Sequence, residues 1–205
     1  CNIIINMRAL ELFCGTKSFS KELDYAWEVI SLDNRKSTEP TFCCDIMDFD
    51  FKQYPVGYFD MIWASPPCTE YSICKQNAPR KLELADSIVK KTLEIIRYLK
   101  PKLWFIENPQ TGLLKSREFM KDIPFVDMDY CRFSDWGYRK RTRFWTNKQG
   151  LITTKCLGRG KCPNMIEKRH KRNIGNARKC YGIYKFTKSD KYRIPPKLIR
   201  YLVGL

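Results

Sequence analysis

Short apolar runs that alternate with helical periodicity predict an α/β fold, a parallel sheet with helices on both faces. Three observations carry this reading. Apolar stretches at residues 9–13, 29–32, 42–45, 59–64, 103–106 and 125–128 have the four-to-six-residue length of buried strands. Helical patterns separate several of them, and most strand candidates end at Gly, Asp or Pro, the residues that turn a chain out of a sheet. In such sheets binding sites lie at the carboxyl ends of the strands.

Taken in order, the first strand leads through a glycine turn into a helix expected near residues 18–27. The longest helix is expected from Leu84 to Leu99, where Leu84, Ile88, Leu93, Ile95, Ile96 and Leu99 recur at three- and four-residue spacings until Pro101 ends it. A shorter helix is expected near residues 117–121. Residues 147–190 lose periodicity and become rich in Cys, Lys and Arg, which marks a small insert in the C-terminal part of the chain. Residues 191–205 return as a helix started by Pro195-Pro196, with Leu198, Ile199 and Leu202 facing the core. The division is therefore a core at 7–146, the basic insert and the closing helix, with residues 1–6 outside the core.

Composition narrows the partners. Lys and Arg number 38 against 22 Asp and Glu, a formal charge of +16. Each neutralised phosphate releases counterions, so nucleic acid is the leading partner, and a merely solvated basic surface is the alternative. Ten cysteines in a chain with long apolar segments read as reduced thiols rather than a secreted disulfide scaffold. No apolar run reaches the roughly 20 residues of a membrane span, and the start lacks a signal-peptide pattern. A cytoplasmic, unsecreted monomer that does not engage membranes is expected.

The strand ends carry the chemistry. After the first strand, Glu11-Leu12-Phe13-Cys14-Gly15 sets a glycine where backbone can approach a ligand. The second ends at Asp33, about twenty residues later, where an acid can accept bonds from ribose hydroxyls. The third ends at Asp45. The fourth runs into Ser65-Pro66-Pro67-Cys68-Thr69, whose two prolines fix successive φ angles and hold the thiol at a loop tip. A nucleophilic role and a small buried thiol are both open for Cys68. The fifth strand ends in Glu107-Asn108-Pro109, placing a carboxyl beside apolar residues, where burial favours its proton-donating form. Its expected neighbour is Cys68. Arg141 and Arg143 alternate into a later strand and so share a face, fit for a phosphate or polar substrate or for a solvated edge.

In this order the pieces resemble the cytosine-5 DNA methyltransferases. ELFCGT is similar to the family's first motif, SPPCTEYS to its proline-cysteine nucleophile loop, FIENP to its Glu-Asn motif, RKRTRFW to its paired-arginine motif, and RIPPKLI to the region near its C-terminus. The resemblance implies a Rossmann-like methyltransferase sheet using S-adenosylmethionine on DNA. It implies that Phe13, Gly15, Asp33, Asp45 and Pro66 bind the cofactor. Cys68 would then attack C6 of a flipped cytosine, Glu107 would engage N3, and Arg143 with Arg141 would hold the base. Small viral and phage-encoded relatives share the short recognition region.

Departures are visible too. Lys17 stands where the family usually has a second glycine, Thr69 follows the nucleophile where glutamine is usual, and Arg139 replaces a glutamine. Three other readings stay open: an exocyclic-amino DNA methyltransferase, which shares a Pro-Pro motif but needs no thiol; an RNA cytosine-5 methyltransferase; and an inactive DNA-binding relative. In the insert, Cys156, Cys162, His170 and Cys180 form a candidate zinc set of irregular spacing, against free cysteines in a basic loop. Lys168, Arg169, Lys171, Arg172 and Arg178 read as phosphate contacts.

Overall fold

In the computed structural model, which describes residues 7–75, 78–172 and 187–205, alternation along the strands sorts the core into two layers. In β1 (Met7–Leu12), Leu10 and Leu12 point to one face of the sheet while Ala9 and Glu11 point to the other. β3 (Met61–Ala64) and β4 (Leu103–Pro109) divide the same way: Ile62, Ala64 and Ile106 join the first face, Met61, Trp63 and Phe105 the second. The first face is covered by helix α1 (Leu82–Leu99) through Ala85, Val89, Leu93 and Ile96. The C-terminal helix, Pro196–Val203, covers the second with Leu198, Ile199 and Leu202, all fully buried and each worth roughly 1.5–3 kcal/mol of transfer free energy. It begins at Pro196 and stops at Gly204, whose φ of +90° supplies a left-handed cap.

With β2 (Trp27–Leu32), β5 (Phe125–Asp129) and β6 (Arg141–Thr146), the six strands lie in the order β2-β1-β3-β4-β6-β5. β2, β1, β3 and β4 are parallel, whereas β6 runs antiparallel to both neighbours. The sheet is therefore mixed rather than wholly parallel. The link from Asp129 to Arg141 is too short for a helical crossover, so β6 turns back beside β5. Because the chain leaves β1 for β2 on one side and returns to β3 on the other, the sheet splits next to β1 and opens a crevice there.

Several local expectations gave way to side-chain competition. The helix expected at 18–27 is only a 3₁₀ turn, Ser20–Glu22: Asp24 accepts the Ala26 N–H at 3.0 Å and turns the chain early. The strand expected at 42–45 is a single bridge from Phe42 to Leu32. Thr41 takes the Ser31 N–H with its hydroxyl, and Asp45 folds onto the Met47 N–H, leaving no ladder to extend. The helix near 117–121 is likewise a 3₁₀ turn, Glu118–Met120. In α1, Leu84 is exposed while Asp86 is buried. Short helix α2 (Lys188–Tyr192) precedes the C-terminal helix, α3, and the insert carries a two-stranded hairpin, β7 (Met165–Ile166) and β8 (Arg169–His170). No described helix is long and apolar enough to cross a membrane.

Candidate active site

The loop after β3 is held from three sides. Ser65 N–H donates to the Leu12 carbonyl at 3.2 Å, and Asn108 Nδ2 donates to the Pro66 carbonyl at 3.0 Å. Tyr71 N–H closes a turn onto the Cys68 carbonyl at 3.1 Å. Tyr71 is itself buried, and its hydroxyl donates to Asp86 Oδ1 at 2.8 Å, while Arg117 Nε grips the same carboxylate at 3.0 Å. With the two prolines removing backbone freedom, these bonds leave Cys68 little choice of position. Its thiol is half-buried at the crevice. Burial pushes the thiol up from its ordinary range, the Glu107 carboxylate adds to that, and the Lys140 ammonium opposes it.

Glu107 sits at the end of β4, the strand paired with β3, on the face of the sheet opposite Asn108. It is buried, with Lys140 Nζ 3.3 Å and the Tyr130 hydroxyl 3.5 Å from its Oε1. Lys140 also lies 5.0 Å from the Tyr130 ring centroid. The two arginines part company. Arg141 lines the crevice, whereas Arg143 is held outside it by paired bonds to Asp127 at 2.7 and 2.9 Å, with its guanidinium 3.5 Å above the Phe125 ring.

At the other end of the crevice the turn after β1 is tight, with φ of +60° at Phe13, +49° at Gly15 and +54° at Lys17. The last value explains why glycine suits position 17. A lysine there carries roughly 1 kcal/mol of left-handed strain, and its Nζ bonds the Glu39 carbonyl at 2.7 Å. Asp33 Oδ2 accepts the Gly15 N–H at 2.9 Å, and Oδ1 accepts Arg35 N–H and Nε–H at 3.0 and 3.1 Å. Burial opposes the charge on Asp33, but these bonds outweigh it and hold the carboxyl below its ordinary range. Asp45 and Pro66 also face the crevice.

Glu11 lies on its floor, 3% exposed, with Oε2 lacking a hydrogen-bond partner among the described residues. Burial pushes its carboxyl up from 4.5 to about 7, although the Ser20 hydroxyl and the Phe19 and Ser20 N–H groups partly offset it. Below pH 4.5 the group is neutral folded and unfolded; between there and about 7 only the unfolded chain ionises it, so stability falls as pH rises through that window. The loss amounts to about 3 kcal/mol. Thermal melts should accordingly find Glu11→Gln no more stable than the parent at pH 4 but clearly more stable at pH 8. Equal melting points at pH 8 would show that the buried charge carries no such cost.

Cys68, Glu107, Lys140, Glu11, Gly15 and Asp33 line one cavity of about 970 Å³, large enough for a nucleotide-sized cofactor together with a base. The residues at the β1 end fit a cofactor bearing both a ribose and a cationic group: Gly15 permits close approach, Asp33 offers a carboxylate, and Glu11 offers a buried oxygen with no partner among the described residues. The sequence signature of C-5 cytosine-specific DNA methylases matches residues 7–139, which run from the start of β1 to Arg139, two residues before β6. The chain belongs to that family. This methylase is also 34% identical over 223 residues to the "Probable DNA (cytosine-5)-methyltransferase" of Frog virus 3 (isolate Goorha), an alignment covering 97% of the chain and 100% of the viral protein. The solved structure of the Entamoeba histolytica methyltransferase EhMeth superposes with a TM-score of 0.50 at 16% identity, covering 73% of this chain and 57% of that one. That likeness supports the Rossmann-like methyltransferase fold. By family, then, the methylase is a DNA (cytosine-5)-methyltransferase that uses S-adenosylmethionine.

Some residues of this site escaped the reading of the sequence. Lys140 lies between the basic residues singled out, and alternation alone assigns it to the face opposite Arg141, which is the face of Glu107. Asn108, given no role by residue type alone, anchors the Cys68 loop through the Pro66 carbonyl. Away from the crevice, Cys156, Cys162 and His170 meet Cys131, which comes from the core turn Tyr130–Arg132. Cys180 and Arg178 lie outside the described residues.

Proposed function

We propose that the methylase modifies cytosine through a transient covalent bond between Cys68 and ring C6, with Glu107 acting at N3. The observation that carries this reading is the meeting of the two groups from adjacent parallel strands in one crevice, near enough for the Glu107 charge to perturb the Cys68 thiol. A target base inside a duplex hides C6, so it must be flipped out to enter.

Cys68 passes its proton to the facing Glu107 carboxylate and adds to C6, and the displaced electron pair makes C5 nucleophilic. Glu107 delivers a proton to N3 as negative charge builds there, and the ammonium of Lys140 balances the carboxylate left behind. S-adenosylmethionine supplies an electrophilic methyl group for C5. A base then takes the C5 proton, the carbon–sulfur bond breaks, and the N3 proton returns to Glu107. Gly15, Asp33 and Glu11 are the residues that would hold the cofactor, together with Phe13, Asp45 and Pro66. The Arg35 guanidinium already donates to both oxygens of Asp33, at 3.1 and 3.4 Å, so a ribose has to share that carboxylate or displace the guanidinium. Arg141 is assigned to a phosphate or to the base, and Arg143 to bracing β5 against β6.

The division into a core at 7–146, a basic recognition insert at 147–190 and a closing helix belongs to the same reading, as do a monomer and a cytoplasmic location. Exposed Lys168, Arg169 and Lys171 suit phosphate contacts that position DNA without reading its sequence. Zinc, the second cofactor expected from the cysteines of the insert, is a matter of ligand geometry separate from the chemistry at Cys68. The function is tested by offering tritiated S-adenosylmethionine with duplex DNA or transfer RNA, followed by bisulfite sequencing. Label in DNA at conversion-resistant cytosines is expected. Label confined to transfer RNA or to exocyclic amino groups would overturn the assignment.

A further inference from the structure

We infer that Cys131, Cys156, Cys162 and His170 form a tetrahedral zinc site that fastens the basic insert to the strand end carrying Lys140. The four ligand atoms lie within 4.8 Å of one another, and none of the three thiols is in a disulfide. Zinc with bonds of about 2.3 Å to sulfur and 2.0–2.1 Å to nitrogen sets tetrahedral sulfur-to-nitrogen separations of about 3.5 Å. His170 Nε2 lies 3.5 Å from Cys156 Sγ and 3.6 Å from Cys162 Sγ. Three thiolates and one imidazole complete a closed structural set, with no position left over for catalysis.

The insert has a need for such a tie. Among its described residues Ile152, Leu157 and Ile166 are exposed, and the buried ones are Cys162 and Asn164. A hairpin of two-residue strands has no apolar core of its own and is marginal in water. What it does have is a set of polar links running outward from the proposed metal. Cys156 N–H donates to Asp129 Oδ2 at 2.7 Å, at the end of β5. Asn164 donates to the carbonyls of Cys131 and Ser134 at 2.9 and 2.8 Å and accepts the Gly137 N–H at 2.9 Å. Gly137, at φ +79°, meets Lys171 so closely that an added Cβ would stand 3.2 Å from the lysine Cβ. Three residues on, Lys140 reaches Glu107, and its carbonyl accepts the Tyr130 N–H at 3.1 Å. The metal would thus set the basic insert and the cation beside Glu107 in one register.

Metal content tests the site directly, and its consequence for DNA rests on the cytosine-methylation reading. Full-length protein should carry about one zinc per chain. Cys131→Ser should lose it, and Cys180→Ser should keep it. Should Cys131→Ser fail to fold, cobalt exchanged into the parent protein decides: tetrahedral d–d bands with strong thiolate charge transfer are expected. Protein purified without zinc that also gives no thiolate–cobalt band, or loss of metal in Cys180→Ser with retention in Cys131→Ser, would overturn the ligand set. Metal removal should weaken duplex DNA binding about tenfold while S-adenosylmethionine affinity changes less than about twofold. Unchanged DNA affinity in the metal-free protein would overturn the positioning role and leave the metal measurement standing by itself.

Discussion

Cys68→Ala is expected to lower methyl transfer by roughly ten-thousandfold, about 5 kcal/mol of barrier, because no other group replaces the carbon–sulfur bond that activates C5. S-adenosylmethionine affinity should remain within about twofold of the parent, since the substitution leaves Glu11 and the turns after β1 and β2, with Gly15 and Asp33, untouched. The parent should form a covalent adduct with DNA containing 5-fluorocytosine, and the variant should form none. The resting thiol is pushed upward by burial, with Glu107 adding to the rise, so adduct formation should accelerate as pH climbs from 7 towards 9. Lys140→Gln removes the ammonium that favours the thiolate and should shift that profile to higher pH. An alanine variant that still turns over would end the covalent mechanism and revive the exocyclic-amino alternative.

Glu107→Gln should reduce turnover by roughly a hundredfold to ten-thousandfold. An amide keeps the shape and can still donate a hydrogen bond, but it has no proton to transfer to N3. The same substitution removes a negative charge that raises the Cys68 thiol, so its pH profile for adduct formation should move downward even as methyl transfer falls. A Glu107 that acted on Cys68 through its charge alone would move that profile without the accompanying loss of methyl transfer. The opposite signs make the two contributions separable in one pair of measurements, pre-steady-state adduct formation and steady-state methylation.

How far the site was legible depended on how local its causes were. PPC, ENP and the RxR pair are short stretches whose chemistry can be read from residue type, and their order alone brought Cys68 and Glu107 together on neighbouring strands. Arg143 shows the limit. Alternation correctly set it on one face with Arg141, but its partner, Asp127, comes from β5, which lies beside it only because β6 turns back antiparallel. The lost helix at 18–27 and the reduced strand at 42–45 have the same origin: Asp24, Thr41 and Asp45 spend their polar groups on nearby backbone, and periodicity does not register that competition.

Residue order and pattern by themselves determined the layered α/β fold, the basic character that suits DNA, and the strand ends where reaction chemistry gathers, because each follows from local burial, charge and turn preference. Only the tertiary structure decided that Lys140 stands against Glu107, that Glu11 is left with an oxygen unpartnered among the described residues, and that Cys131 joins Cys156, Cys162 and His170. Those relations link residues far apart along the chain, and the distances between such residues are set by sheet register and packing rather than by their spacing in the sequence.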